Sequence, residues 1–302
     1  MSRIFAMKKR VFLFFVLAAA LFPPAPAAAQ NRILDVPYVP TKFPVVDEML
    51  NMAGVGKTDI LYDLGCGDGR IVIGAAQKYG ARGVGIDLDP ERIRESEANA
   101  SSAGVSDRVK FYTGDLFEAD IREATVVSLY LLTTINLRLR PRLLRELRPG
   151  VRVVSHNFAM DNWKPDASSE VDVDGVRHDV FLWVIPVNAS GSWSWTMKLK
   201  GKTAAVRAEL VQKYQYATGT VKIDGAETTV TDAKIQGDFV RFTFEAFVEN
   251  EPVTFAFEGK LIGQTINGTI RSAVDGDTKA WAWKAHRNPT TEKPIDEPPD
   301  VN

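Results

Sequence analysis

Asp59-Ile60-Leu61-Tyr62-Asp63-Leu64-Gly65-Cys66-Gly67-Asp68-Gly69-Arg70 is the stretch that decides the fold of this chain. Residues 60–64 form a short apolar run closed by glycine, which reads as a strand. Residues 65–69 make a tight glycine-rich turn, and 70–79, rich in Ile, Val and Ala, read as a helix. Glycine is needed in such a turn because the chain reverses sharply and because a ligand must come close to the backbone. The helix behind the loop is expected to offer free N–H groups to an anion.

Working outward, the same alternation repeats. Residues 83–87 (Gly-Val-Gly-Ile-Asp) read as a second strand, and Asp89-Pro90 supplies an N-cap and a first-turn proline for a helix running to about Ala103. Residues 109–112, 126–131 and 151–155 read as three further strands. A helix is expected over 136–147, and paired strands run through 180–187. Strands alternating with helices predict an α/β domain over 35–187 with a mostly parallel, Rossmann-like sheet.

Three acidic residues fall in register with that pattern. Asp63 ends the first strand, Asp87 ends the second about 20 residues on, and Gly114-Asp115-Leu116 follows the third. The glycines run G-x-G-x-G directly after an acid, unlike the G-x-G-x-x-G of dinucleotide-binding domains. The set predicts a site for S-adenosylmethionine (SAM). Asp63 would face the methionine ammonium, Asp87 two ribose hydroxyls, and Asp115 with Leu116 the adenine, while Gly65, Cys66 and Gly67 form the loop beneath. Taken singly, the acids can also be loop caps. Cys66, the single cysteine, reads as a small space-filler and excludes an intrachain disulfide. With three histidines and no CxxC, no metal site is expected.

The pattern changes near Asn188. Between 192 and 287 apolar and polar residues alternate and are broken by Asp224-Gly225, Gly237-Asp238 and Asn267-Gly268, so about eight strands of an antiparallel barrel or sandwich are expected. Trp193, Trp195, Trp281 and Trp283 stand at i, i+2 spacing at its two ends, to line a ligand cavity or to close a core. Pro, Glu and Asp dominate 288–302, read as a disordered tail. At the other end Lys8-Lys9-Arg10, an apolar run over 11–22 and Ala27-Ala28-Ala29 read as a cleaved export signal, 1–29, with a membrane anchor as the alternative. A formal net charge of −1 gives no reason to expect nucleic acid. Arg138, Arg140, Arg142 and Arg145 read as a solvated helix face.

Residues 63–70, 111–117 and 157–166 (NFAMDNWKPD) resemble the lysine methyltransferase family that modifies the membrane-embedded c subunit of mitochondrial ATP synthase, bacterial relatives included. Residues 36–41 (VPYVPT) are similar to that family's pre-domain motif, which folds over the cofactor. The resemblance covers about 35–166. It implies a protein substrate methylated on lysine, a membrane-associated target, and contacts from Tyr38 and Thr41 to the methionine part of SAM. Without it, 36–41 reads as a proline-bearing linker. Asp87 stands where the mitochondrial proteins are expected to have Glu, and 130–136 matches loosely. No NPPY-like tetrapeptide is present, which argues against methylation of base nitrogens. Tyr130 and Asn136 lie on the expected substrate side, but no catalytic residue is assigned. An export signal conflicts with a cofactor made in the cytosol. The alternative function is therefore an exported ligand-binding protein whose methyltransferase-like domain is a non-catalytic scaffold and whose β domain binds the ligand.

Overall fold

Residues 38–199, 201–248, 250–274 and 277–295 are described by the structure, a computed structural model; the expected export signal lies outside them. The first half holds β1 (Ile60–Leu64), α2 (Arg70–Tyr79), β2 (Arg82–Asp87), α3 (Pro90–Ser102), β3 (Val109–Thr113), β4 (Val126–Leu129), α4 (Thr133–Glu146), β5 (Arg152–His156) and the hairpin β6 (Ala167–Val173) and β7 (Val176–Val184). The sheet order is β3-β2-β1-β4-β5-β7-β6. The first five strands are parallel, and β7 runs antiparallel to both β5 and β6. Order reverses between β1 and β4, the crevice where open α/β sheets hold ligands at their carboxyl ends.

Local chemistry explains the elements. β1, β4 and β5 hide nearly every residue because helices cover both faces of the sheet. α3 starts where the Asp89 side chain accepts from the Glu91 amide, with Pro90 in the first turn. An additional helix, α1 (Phe43–Met52), was not expected; it buries Val45, Val46, Met49 and Leu50, one helical stripe, against α2 and the β5–β7 end of the sheet. α4 begins three residues before the expected 136, and the paired strands lie at 167–184, earlier than the expected 180–187. The arginines of α4 form a solvated face only in part: Arg138 and Arg145 are exposed, while Arg140 and Arg142 are half-buried. The Arg138 guanidinium lies 4.0 Å from the Phe117 ring, Arg140 donates to Met160 O and Asn162, and Arg142 donates to Leu116 O (3.0 Å), Ala119 O and Glu146.

The second sheet comprises β8 (Gly191–Leu199), β9 (Lys202–Lys213), β10 (Tyr216–Ile223), β11 (Ala226–Thr229), β12 (Thr231–Gln236), β13 (Phe239–Val248), β14 (Glu251–Ile262), β15 (Thr265–Val274) and β16 (Asp277–Arg287). Pairing of β9 with β10 and of β10 with β12 closes eight of these strands into an antiparallel barrel, while β11 flanks β10. Strict alternation puts Ala204, Val206, Ala208 and Leu210 of β9 inside and their neighbours in solvent. Phe242, Phe257, Trp195 and Trp283 fill the interior, with the Phe257 ring 4.9 Å from both Phe242 and Trp283. Both tryptophan readings hold in part: Trp193, Trp195 and Trp283 are core, while Trp281 lines a cavity.

Both sheets belong to one compact unit. The β9–β10 turn docks on the loop after β5, where the Tyr214 hydroxyl donates to Asn162 (2.9 Å) and the Gln215 amide donates to Lys164 O. The stretch after β16 does not begin as a disordered tail: Asn188 and Ser190 donate to Lys293 O, and Ile295 is buried.

Candidate active site at the carboxyl edge of the parallel sheet

Register assembles the acids. Asp63 of β1 lies opposite Gly85, and Asp87 of β2 lies opposite Thr113, so the ends of β1, β2 and β3 form one edge, with Gly114 and Asp115 just beyond it. Asp63 is 2 % exposed and accepts from the Ser128 hydroxyl of β4 at 2.7 Å; no cation pairs with it among the described residues. Burial, joined by the nearby Asp87 and Asp68 carboxylates, outweighs that hydrogen bond and pushes its carboxyl up to about 7. A buried carboxylate without a cation is costly unless it binds one or keeps a proton. An amino-acid ammonium fits that need.

Asp87 works twice. One oxygen accepts from the Gly67 amide (2.8 Å) and the other from the Asp89 amide (3.0 Å). The remaining lone pairs of this half-buried carboxylate can accept from a diol. Asp115 accepts from the Phe117 amide (2.8 Å), capping its own turn, and Leu116 packs half-buried beside it.

The amides of the glycine loop are taken up within the fold itself. Gly65 and Cys66 both donate to Ile86 O, Gly67 donates to Asp87, and the amide of Arg70, first residue of α2, is within 3.3 Å of Asp68. The Asp68 carboxylate itself sits at that helix end, ion-paired to Arg70 at 2.6 Å, which holds it below the usual range despite its burial. The loop is thus preset by its own fold. α3 secures it from behind, with the Ser96 hydroxyl on Gly67 O (2.7 Å) and the Asn99 amide on Asp68 O (3.0 Å). Gly67 has φ +54, and a Cβ there would lie 2.5 Å from the Tyr38 ring. Gly65 has φ +86, with Leu131 3.0 Å from its Cβ position. Cys66 faces the core near Gly85 and Phe111, where burial pushes its thiol up, so it is no nucleophile.

The segment before α1 crosses this loop. Tyr38 lies over Gly67 with the Arg92 guanidinium 4.8 Å from its ring, and Thr41 O accepts from Arg70 at 2.7 Å. The buried Thr41 hydroxyl is 3.2 Å from Nδ1 of His156, whose Nε2 is 2.9 Å from Nδ1 of His178 on β7. Tyr130, just after β4, stacks on His156 with ring centres 3.8 Å apart. Burial, with His178 adding to it, pushes His156 down to about 4, so the His156 imidazole is neutral near pH 7. Asn136 stands apart from the edge: fully buried, it donates to Phe158 O and Ser155, so it braces the loop after β5. Ser128, His156 and His178 were missed in the sequence, although a polar residue inside the apolar runs Val126-Val127-Ser128-Leu129 and Val153-Val154-Ser155-His156 marks the place.

A family model described as the ANTKMT methyltransferase domain matches residues 63–167, inside the α/β half. A protein-lysine N-methyltransferase of Saccharolobus islandicus is 49% identical over 157 residues, covering 52% of this chain and 98% of that protein. A lysine N-methyltransferase of the ATP synthase c subunit from Xenopus laevis is 35% identical over 149 residues, 49% of this chain and 65% of its own length, just under two thirds. Among solved structures, an RNA methyltransferase from Salinibacter ruber in complex with S-adenosyl-L-homocysteine is 57% identical, covering 49% of this chain and 94% of that one, with a TM-score of 0.46. The two lysine methyltransferase relatives lend the alternative of a non-catalytic scaffold no support. Identity at this level across nearly the whole of the archaeal protein makes the chain a member of the protein-lysine N-methyltransferase family, and it is a SAM-dependent methyltransferase.

Proposed function

We propose that this protein methylates the side-chain nitrogen of a lysine in a protein substrate, with the cofactor held at the carboxyl edge of β1, β2 and β3. The 49% identity that extends over 98% of a protein-lysine N-methyltransferase carries the reading. Asp63 is assigned to the methionine ammonium, Asp87 to the ribose, and Asp115 with Leu116 to the adenine end. Gly65, Cys66 and Gly67 form the floor, and Tyr38 and Thr41 cover it. Bound there, SAM supplies a methyl group already activated on a sulfonium. The chain's part is to orient and to exclude water, which for a well-aligned pair is the main source of acceleration. Tyr130, fixed by its stack on His156 at the end of β4, is placed in this reading as an aromatic wall on the acceptor side. The basic, apolar and Ala-rich order of residues 8–29 supports export, and likeness to a methyltransferase of the ATP synthase c subunit supports a membrane-associated target.

The test is transfer of labelled methyl from SAM by the full chain to lysine-bearing protein, with RNA as a parallel acceptor. Label that amino-acid analysis finds on lysine is the expected result; label on RNA alone would overturn the reading. Asp87→Ala should weaken SAM binding by about 1.5–3 kcal/mol, because charge-assisted hydrogen bonds are lost. Unchanged affinity in calorimetry would remove Asp87 from the site.

A further inference from the structure

The barrel wall is incomplete along one seam. β16 and β8 are in register at His286–Ser194 and Arg287–Trp193 only, so past Ser194 strand β8 is paired with β9 alone, and β16 before His286 with β15 alone. Where the seam opens lies a cavity of about 760 Å³, within the size range of small-molecule sites. It sits at the end carrying the β8–β9 and β13–β14 turns, opposite the β9–β10 turn that docks on the α/β half. It is therefore separate from the methyl-transfer edge.

The lining has one chemical character. Met197, Phe255 and Trp281 give it apolar walls, and its polar side chains include Ser272, Lys198 and Lys279 but, among the described residues, no carboxylate. Register places Phe255, Ser272 and Lys279 side by side on one face of β14, β15 and β16. Neither lysine is ion-paired among the described residues. The indoles add a second, independent observation. Deeper in the barrel, Trp193 donates to Ala189 O (2.9 Å) and Trp283 to Glu258 O (3.1 Å). The buried Nε1 atom of Trp281, whose residue lines the cavity, has no acceptor among the described residues; that of Trp195, in the core, has none either. Buried donors are paired as a rule, so an orphan in a cavity wall points to an acceptor that arrives from outside.

We propose that this cavity binds an amphipathic organic anion, whose apolar body lies against Met197, Phe255 and Trp281 and whose anionic head accepts from the Trp281 indole and sits between Lys198 and Lys279. An apolar cavity with cations and N–H donors but no acid selects against a cationic ligand of the same shape.

Laurate titrated into the full chain, with dodecylamine of equal chain length as the opposite charge, tests this by calorimetry. Laurate should bind saturably at one site per chain and at least tenfold more tightly than dodecylamine. Lys198→Glu with Lys279→Glu, both exposed positions, should weaken laurate at least tenfold, and Trp281→Phe, which keeps the ring and loses the N–H, by about two- to tenfold. SAM titrated into the same variants reports whether they are folded. Equal binding of laurate and dodecylamine overturns the anion assignment. No saturable binding of laurate, or laurate binding unchanged in both the lysine and the indole variants, overturns the site.

Discussion

The two halves of this molecule bury their strands in opposite ways. β1, β4 and β5 hide almost every residue between covering helices, whereas β9 hides every second one. A polar side chain therefore means different things in each. In the barrel most polar side chains belong to the wet face, with Gln212 and Ser272 among the exceptions. In the parallel sheet a polar side chain interrupts a fully buried run, and Asp63, Ser128 and His156 do so at or next to the last residue of β1, β4 and β5. Each is held by a partner from another element: Asp63 by Ser128, His156 by Thr41 and His178. Buried polarity at the carboxyl edge of the parallel sheet lies where the cofactor is proposed to bind, and most buried aromatic rings of the barrel pack on one another.

If that contrast is right, cutting into the barrel core should cost stability and leave the cofactor site alone. Phe257 is 2 % exposed, stacks on Phe242 and meets Trp283 edge to face, so Phe257→Ala should destabilise by about 3–5 kcal/mol, the range for emptying a buried aromatic position. Denaturant unfolding measures the loss. SAM affinity, measured well below the variant's unfolding transition, should equal that of the parent chain. A parallel loss of affinity would break the comparison and make the barrel part of the site.

Asp63→Asn probes the other half, with the opposite division of effects. SAM binding should fall by about 1.5–3 kcal/mol, since a hydrogen-bonded charge is removed while shape is kept. The native carboxyl holds its proton to about 7, against 3.8 in the unfolded chain, so between those values the native state carries the extra proton. Stability then declines as pH rises through that window, the reverse of a salt-bridged acid. Ionisation across pH 6 to 8 should in turn strengthen SAM binding. The Asn variant should show a flatter affinity against pH and, at pH 8, greater resistance to denaturant than the parent. An affinity equally pH-dependent in both proteins would take Asp63 off the ammonium.

The difference between the halves also explains what could be read from the amino acids. The glycine turn, the three acids and the alternation of strands are local patterns, and each was legible. So was the barrel, because period-two alternation broken by Asp-Gly and Asn-Gly turns needs no distant partner to be recognised. What stayed hidden depends on contacts across the chain. The glycine turn was legible, but not that Ile86 and Asp87, some 20 residues on, accept from Gly65, Cys66 and Gly67 and so fix its shape. Arg140 and Arg142 read as part of a solvated face because Met160 O and Leu116 O are brought to them only by folding. The histidine pair joins residues 22 apart through the β5–β7 register, which no spacing rule predicts.

The smallest effect should lie where the two halves meet, and it is the one that tests whether they can be treated apart. Asn162 accepts from Arg140 of α4 at 2.8 Å and from the Tyr214 hydroxyl of the barrel at 2.9 Å, while Trp163 stacks on the Tyr214 ring at 5.7 Å. The loop so held follows β5, the strand that carries His156. Tyr214→Phe keeps the stack and removes the hydroxyl, so it should cost about 1 kcal/mol, the net worth of one hydrogen bond. Because Arg140 still anchors Asn162, methyl transfer should change less than twofold. A drop of tenfold or more, with SAM affinity unchanged, would mean that the barrel sets the acceptor side of the site through this loop, and that the division between a chemical half and a packed half ends at Asn162.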